Sequence, residues 1–321
     1  MLSRAVEIPT GHTFRIEPKG PFSWNQALEF FHRFRPISRH ADDSPVLRSA
    51  FILDGSLRPL AVALRWVEGG LAGEVVGVGQ LSPDDVAAAA AQVARIFSLD
   101  IDGTDYPAVA DRDPALRPAF DAFPGLRPIL FLSPYECAVW GVLSQRISGA
   151  QASTIQDRIA KTYGTRFDIA GGEAWAFPEP RRLLEIETVA SLPDVKIQRL
   201  HGVARAALDG TLDAARLREL GEAKARELLE TIPGIGKFWG AGIYLRACGI
   251  ADAMAPEPLS IAALGILHGL GEQPSQEDLV RISEAHKPYR MWVTFLVRVA
   301  AGRGIIPGIK GEEMRIRRAR A

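Results

Sequence analysis

Leu228-Leu229-Glu230-Thr231-Ile232-Pro233-Gly234-Ile235-Gly236-Lys237-Phe238-Trp239-Gly240-Ala241 is the most informative stretch of this 321-residue chain. A helix ends, a tight Pro-Gly-Ile-Gly turn follows, and a second helix opens at Lys237. Glycine permits positive φ and lets another backbone approach closely. The first N–H groups of the second helix point outward with the positive end of its dipole behind them. That arrangement binds a phosphate without any side chain, and Lys237 adds a charge. Two readings of such a turn stand: a corner that merely packs, and a corner that holds phosphate.

Charge distribution bears on the choice. The chain has 38 basic and 38 acidic residues, net +0. Residues 1–110 are net −3, whereas residues 230–321 are net +3, with Arg315, Arg317, Arg318 and Arg320 in the last seven positions. Any polyanion-facing half is therefore the C-terminal one.

Outward from the turn, proline and glycine punctuate helical stretches at about 134–147, 149–162, 178–186, 196–208, 213–230, 237–248, 259–269, 275–285 and 288–302. Strand signals stop near residue 111. Ser133-Pro134-Tyr135-Glu136 is a clean helix start, with a serine cap and proline at the first position. Upstream, strands are expected at Thr13–Glu17, Arg48–Leu53, Leu60–Val67 and Ala72–Val78. Turns at Asp54-Gly55 and Gly69-Gly70 join antiparallel neighbours. Helices follow Ser23 and Ser82-Pro83-Asp84-Asp85. The fold class is α+β: an N-terminal antiparallel sheet domain with helices over 1–110, then a two-lobed all-helical region over 111–308 with the hairpin near 228–248, and a basic tail over 309–321.

Other classes are excluded. No apolar run reaches the length of a membrane span, and Met1–Glu7 lacks the apolar core of a signal peptide. The two cysteines, Cys137 and Cys248, cannot build a disulfide framework, so a reducing cytoplasm is expected. Zinc-type Cys/His spacings and nucleotide-binding glycine fingerprints are absent.

With the hairpin, Phe177-Pro178-Glu179-Pro180-Arg181-Arg182-Leu183, Ala206-Ala207-Leu208-Asp209-Gly210-Thr211-Leu212 and His286-Lys287-Pro288-Tyr289-Arg290, the chain resembles the helix-hairpin-helix DNA glycosylases, in particular the bacterial alkylation-repair branch, 3-methyladenine DNA glycosylase II. The resemblance implies a monofunctional DNA glycosylase of base excision repair that flips a damaged base from the duplex. The runner-up is a non-catalytic relative that recognises damaged or distorted DNA. A third reading is a helical protein-interaction module. The implied partner is double-stranded DNA, met by a cytoplasmic monomer with no membrane partner and no required cofactor.

Site residues carry over position by position. The branch has a catalytic aspartate in a Pro-x-Asp segment after the hairpin. Here the segment is Ala255-Pro256-Glu257-Pro258-Leu259-Ser260, so Pro258 stands where the acid is expected and Glu257 is the adjacent candidate. Its other reading is a loop glutamate facing a helix dipole. The base pocket maps to Phe238, to Gly242 where an aromatic is expected, and to Arg298 on the last helix. Trp239, Tyr244 and Trp292 read as core. The residue filling the gap left by a flipped base maps to Arg146, after Gln145; Arg146 also reads as a surface arginine. Gly234, Gly236, Lys237 and Arg290 complete the DNA-binding set. Phe238 occupies the lyase-lysine position of bifunctional members, so no Schiff-base step is implied. The family's hairpin cation, K+ or Na+, maps to the backbone carbonyls of Glu230, Ile232 and Ile235.

Overall fold

The computed structural model describes residues 12–37 and 44–309. The four tail arginines, and all of the expected tail but Ile309, lie outside the described residues. The chain divides into two compact units that are discontinuous in sequence. Among the described residues, the first comprises those up to Glu17 and those within Leu28–Asp100 and Ile129–Gly249. The second comprises Pro18–Ala27, Ile101–Pro128 and the described residues from Ile250 on. Sequential segments 1–110 and 111–308 are therefore not the packing units.

In the first unit, strands β1 (Thr13–Ile16), β2 (Leu47–Ile52), β3 (Pro59–Val67) and β4 (Gly70–Gly77) form an antiparallel sheet of order β1-β4-β3-β2. Val67 pairs with Gly70 across a two-residue turn whose residues both have positive φ, Glu68 at 48° and Gly69 at 79°. That backbone twist matches the twist of the strands it joins. Helix Pro83–Ile96 starts as its sequence dictates: Ser82 and Asp85 form a reciprocal capping box, with Pro83 at the first position. Ala89, Ala90 and Val93 on this helix are fully buried.

The α+β class holds, and the region beyond residue 111 contains one further hairpin where only helices were expected. Strands β5 (Thr165–Ile169) and β6 (Gly172–Ala176) pair antiparallel. Arg48 on β2 donates to the carbonyls of Ile169 and Ala170 at 3.1 and 2.6 Å. Gln92 donates to both Ile52 and Leu132, each at 3.0 Å. These bonds tie the N-terminal sheet to residues 129–249 inside one unit, which is why the expected boundary at 110 does not separate cores.

Helix Pro134–Leu143 is buried along its whole length and is capped by Ser133. It is followed by helices Gly149–Tyr163, Pro180–Leu184, Asp194–Leu208, Ala214–Glu230 and Lys237–Arg246. The expected continuous helix over 213–230 is interrupted at Gly221, whose φ of 74° and ψ of 166° are non-helical. Glycine adopts such a conformation at no steric cost. Both cysteines are free and buried; burial pushes both thiols up, that of Cys248 to about 12.

The second unit contains helices Pro258–Leu267, Gln276–Ser283 and Arg290–Gly302, with shorter ones at Val109–Arg112 and Arg117–Ala122. Arg127 is fully buried and organises it. Its guanidinium donates to the carbonyls of Pro21, Ile101 and Lys19 and lies 5.2 Å over the ring of Trp292. Trp292 in turn packs against Tyr106 and Tyr289.

Candidate nucleic-acid interface

The hairpin turn lies in the first unit, between helices Ala214–Glu230 and Lys237–Arg246. Gly234 has φ +90°, and a Cβ there would sit 2.8 Å from Arg199 Cδ. This is the position where the turn needs glycine. Gly236 differs from the sequence expectation. Its φ is −101°, a conformation open to any residue, and a Cβ there would meet no atom within 4 Å. Glycine at 236 is thus not demanded by the protein's own packing.

Gly236 is the N-cap of helix Lys237–Arg246 and provides no side-chain cap. The Gly240 N–H is the first to bond back, to Gly236 O at 2.8 Å. The preceding amides of Lys237, Phe238 and Trp239 have no acceptor among the described residues. Lys237 is exposed and its ammonium has no ion-pair partner there either. Several amides, a helix dipole and a cation therefore face solvent together, which is a competent anion site. On the first arm of the turn, Ile235 N–H closes on Ile232 O at 2.9 Å.

Gln145 and Arg146 follow the buried helix Pro134–Leu143, which ends earlier than the expected residue 147. Gln145 Nε2 donates to Gly234 O at 2.6 Å and its Oε1 accepts from Arg199 Nη1 at 2.7 Å. Gln145 is therefore bound to the turn itself. Arg146 is exposed, has φ +58°, and its guanidinium has no partner among the described residues.

Phe238 is 55% exposed, with its ring edge-on to Trp239 at 5.4 Å. A Cβ on Gly242 would touch only Trp239, at 3.5 Å, so the missing aromatic leaves open space beside an exposed ring. Arg246, on the same helix face, is turned to packing. It donates to Ile129 O at 2.7 Å and lies 4.7 Å over the Phe34 ring. Trp292 and Tyr244 are buried, as expected of core residues.

Glu257 and Arg298 belong to the second unit, and the structure brings them together. Glu257 is the N-cap of helix Pro258–Leu267; its Oε2 accepts from Ser260 N at 2.8 Å and Ser260 Oγ at 2.6 Å. Its Oε1 lies 3.8 Å from Arg298 Nε. Pro258 occupies the first helical position, where a missing N–H costs nothing. Ser260 was not singled out by sequence, although a cap followed three residues later by a hydroxyl is a readable pattern.

Arg290 departs from expectation. Its Nε donates to Asp252 Oδ1 at 2.7 Å and its Nη2 to Asp252 O at 3.1 Å. The guanidinium is thus engaged in fixing the loop before helix Pro258–Leu267. Nearby in sequence, His286 Nε2 lies 2.7 Å and His268 Nε2 3.0 Å from Asp113 Oδ2. His268 Nδ1 also faces Leu264 O at 2.8 Å, so both its nitrogens face acceptors, an arrangement that favours the protonated ring. The Asp113 bond raises the His268 pKa against an opposing burial effect. Burial alone would raise Asp113, but the two histidine bonds outweigh it and hold its carboxyl well below the usual range.

No family model matches the chain. Among curated proteins it is 29% identical over 206 residues to DNA-3-methyladenine glycosylase 2 of Escherichia coli, covering 63% of this chain and 68% of that one. It is 27% identical over 205 residues to DNA-3-methyladenine glycosylase of Bacillus subtilis, covering 62% and 67%. Among solved structures, 3-methyladenine DNA-glycosylase from Archaeoglobus fulgidus superposes with TM-score 0.70 at 23% identity, over 89% of this chain and 97% of that one.

Proposed function

We propose that this chain, which belongs to the helix-hairpin-helix DNA glycosylase superfamily and is related to its 3-methyladenine branch, is a monofunctional glycosylase that removes alkylated bases from double-stranded DNA. The observation that carries the reading is the turn at Pro233–Lys237: uncapped helix amides, an exposed Lys237, and a Gly236 whose small size serves nothing inside the protein. Room at Gly236 lets a phosphate oxygen reach the amides directly.

Chemistry then falls to Glu257. As a base leaves, positive charge develops on the sugar, and a fixed carboxylate stabilises it. Ser260 occupies Oε2 with two hydrogen bonds, so the sugar and the attacking water fall to Oε1, which shares its position with the Arg298 guanidinium 3.8 Å away. The leaving base departs with the glycosidic electron pair, water adds at the sugar carbon, and its proton is released. In the first unit, the exposed ring of Phe238 is a face of the kind on which bases stack. The carbonyls of Glu230, Ile232 and Ile235 each keep a lone pair beyond any backbone bond, so they fit a monovalent cation chemically; such a cation would brace the turn. Soluble, cytoplasmic action as a monomer belongs to the same proposal.

A specific observation supports a second reading. Pro258 stands where the branch has its acid, and Glu257 is already engaged by Ser260 and Arg298. A non-catalytic protein that binds damaged DNA would look the same at those positions. Incubating the protein with duplexes carrying a panel of modified bases separates the two. The proposal expects free base and an intact abasic strand. Strand scission by β-elimination would contradict the monofunctional part, and lesion binding with no base released would establish the second reading.

A further inference from the structure

Helix Asp194–Leu208 presents Lys196, Arg199 and Gly202 on one side. Each fastens part of the proposed interface, and all of the groups involved lie in the first unit. Lys196 is buried, and its Nζ donates to Leu143 O at 2.6 Å and Gln145 O at 2.8 Å. It therefore satisfies carbonyls left open where helix Pro134–Leu143 ends. Burial, with Arg199 adding to it, lowers the Lys196 pKa. Arg199 holds Gln145 Oε1, and Gln145 Nε2 holds Gly234 O. Gly202 gives Pro233 room to seat; a Cβ there would lie 3.2 Å from Pro233 Cδ.

Arg146 follows directly in the chain. An arginine at φ +58° is a conformation that persists only when the surroundings impose it. The Lys196 bonds fix the carbonyls of Leu143 and Gln145, and the Gln145 side chain is bound at both ends. The backbone entering Arg146 is thus held, while its side chain projects to solvent without a partner among the described residues.

We propose that Lys196 and Arg199 are positioning residues for lesion recognition: they hold Arg146 outward in its left-handed conformation and lock its loop to the hairpin turn, so that the gap-filling side chain and the phosphate-binding amides meet the duplex as one piece. This rests on the reading of Arg146 as the residue that enters the gap. Lys196 is buried and gives two of its three donors to protein carbonyls, so it is not placed as a phosphate contact of its own. Its loss should leave the salt dependence of binding unchanged while removing the preference for a duplex with an abasic site.

The readout is the affinity ratio between a duplex carrying an abasic-site analogue and the matched undamaged duplex, taken by fluorescence anisotropy at several salt concentrations. Arg146→Ala sets the scale, with an expected loss in the ratio of roughly tenfold, the size of one charge-assisted contact. Lys196→Met should lose a similar factor. The double variant should lose no more than either single, because both remove the same interaction. The salt slope should stay at the wild-type value, and Lys196→Arg should restore most of the ratio. Should Lys196→Met fail to fold, Arg199→Met carries the same expectation at a half-buried position. A full ratio in a folded Lys196→Met or Arg199→Met, additive losses in the double variant, or a reduced salt slope would overturn the proposal. If Arg146→Ala keeps the full ratio, the reading of Arg146 itself fails and the proposal falls with it. If Arg146→Ala loses the ratio and Lys196→Met keeps it, only the positioning role is refuted.

Discussion

Replacing Gly236 by valine should weaken duplex binding strongly while leaving the fold in place. A Cβ at 236 meets no protein atom within 4 Å, and φ of −101° suits a β-branched residue. The intramolecular cost is limited to the poorer cap, about 1 kcal/mol or less. The intermolecular cost is larger. Two methyl groups over the amides of Lys237 and Phe238 would deny a phosphate one or two charge-assisted hydrogen bonds. At about 1.5–3 kcal/mol each, the loss corresponds to at least roughly tenfold in affinity, and to a hundredfold or more if both bonds go. Gly234→Val provides the contrast. There φ is +90° and the Cβ approaches Arg199 Cδ at 2.8 Å, so the cost is paid in folding, about 1–3 kcal/mol, and thermal denaturation should drop by several degrees. Lys237→Ala should weaken binding only a few-fold and reduce the salt slope by about 0.9, the share of one phosphate contact. The assay is duplex titration at graded salt beside a thermal melt. Wild-type affinity in a folded Gly236→Val protein would refute the phosphate-binding turn.

The Asp113 cluster makes stability depend on pH in both directions. The His268 pKa is raised, so its contribution is complete below the ordinary histidine range and fades as pH rises through the raised value; that of Asp113 is lowered, so its contribution is complete above the ordinary aspartate range and fades as pH falls through the lowered value. His268→Gln should flatten the alkaline side of a Tm-versus-pH profile, and an unchanged profile would contradict the ion pair. Arg290→Gln should lower stability by about 1 kcal/mol, through loss of the partly exposed Asp252 pair, without altering the salt slope; a slope reduced by about 0.9 would return Arg290 to the DNA-contact set.

What the sequence made legible is local chemistry. Ser82-Pro83-Asp84-Asp85 and Ser133-Pro134-Tyr135-Glu136 start helices because caps act within one turn. The hairpin was readable for the same reason, since Pro233 and Gly234 punctuate two helical patterns. Less visible features depend on partners distant in the chain. Gln145 meets a carbonyl 89 residues away and Arg290 a carboxylate 38 residues away, so both looked like free contacts. The break at Gly221 escaped because the pattern continues on either side of a single glycine. Strands β5 and β6 escaped because five residues of alternation are a weak signal. Glu257 lay between the two cases: its position beside Pro258 and its cap onto Ser260 are local, but its approach to Arg298 required the fold.

Base excision itself tests the central claim most directly. Single-turnover release of an alkylated base from duplex DNA is measured for wild type and for Glu257→Gln, a nearly isosteric change that removes charge and keeps shape. Wild type should release free base, and Glu257→Gln should do so at least about a hundredfold more slowly with duplex affinity unchanged. A Glu257→Gln protein as active as wild type, or a wild-type protein that binds the lesion and releases nothing, would contradict the account.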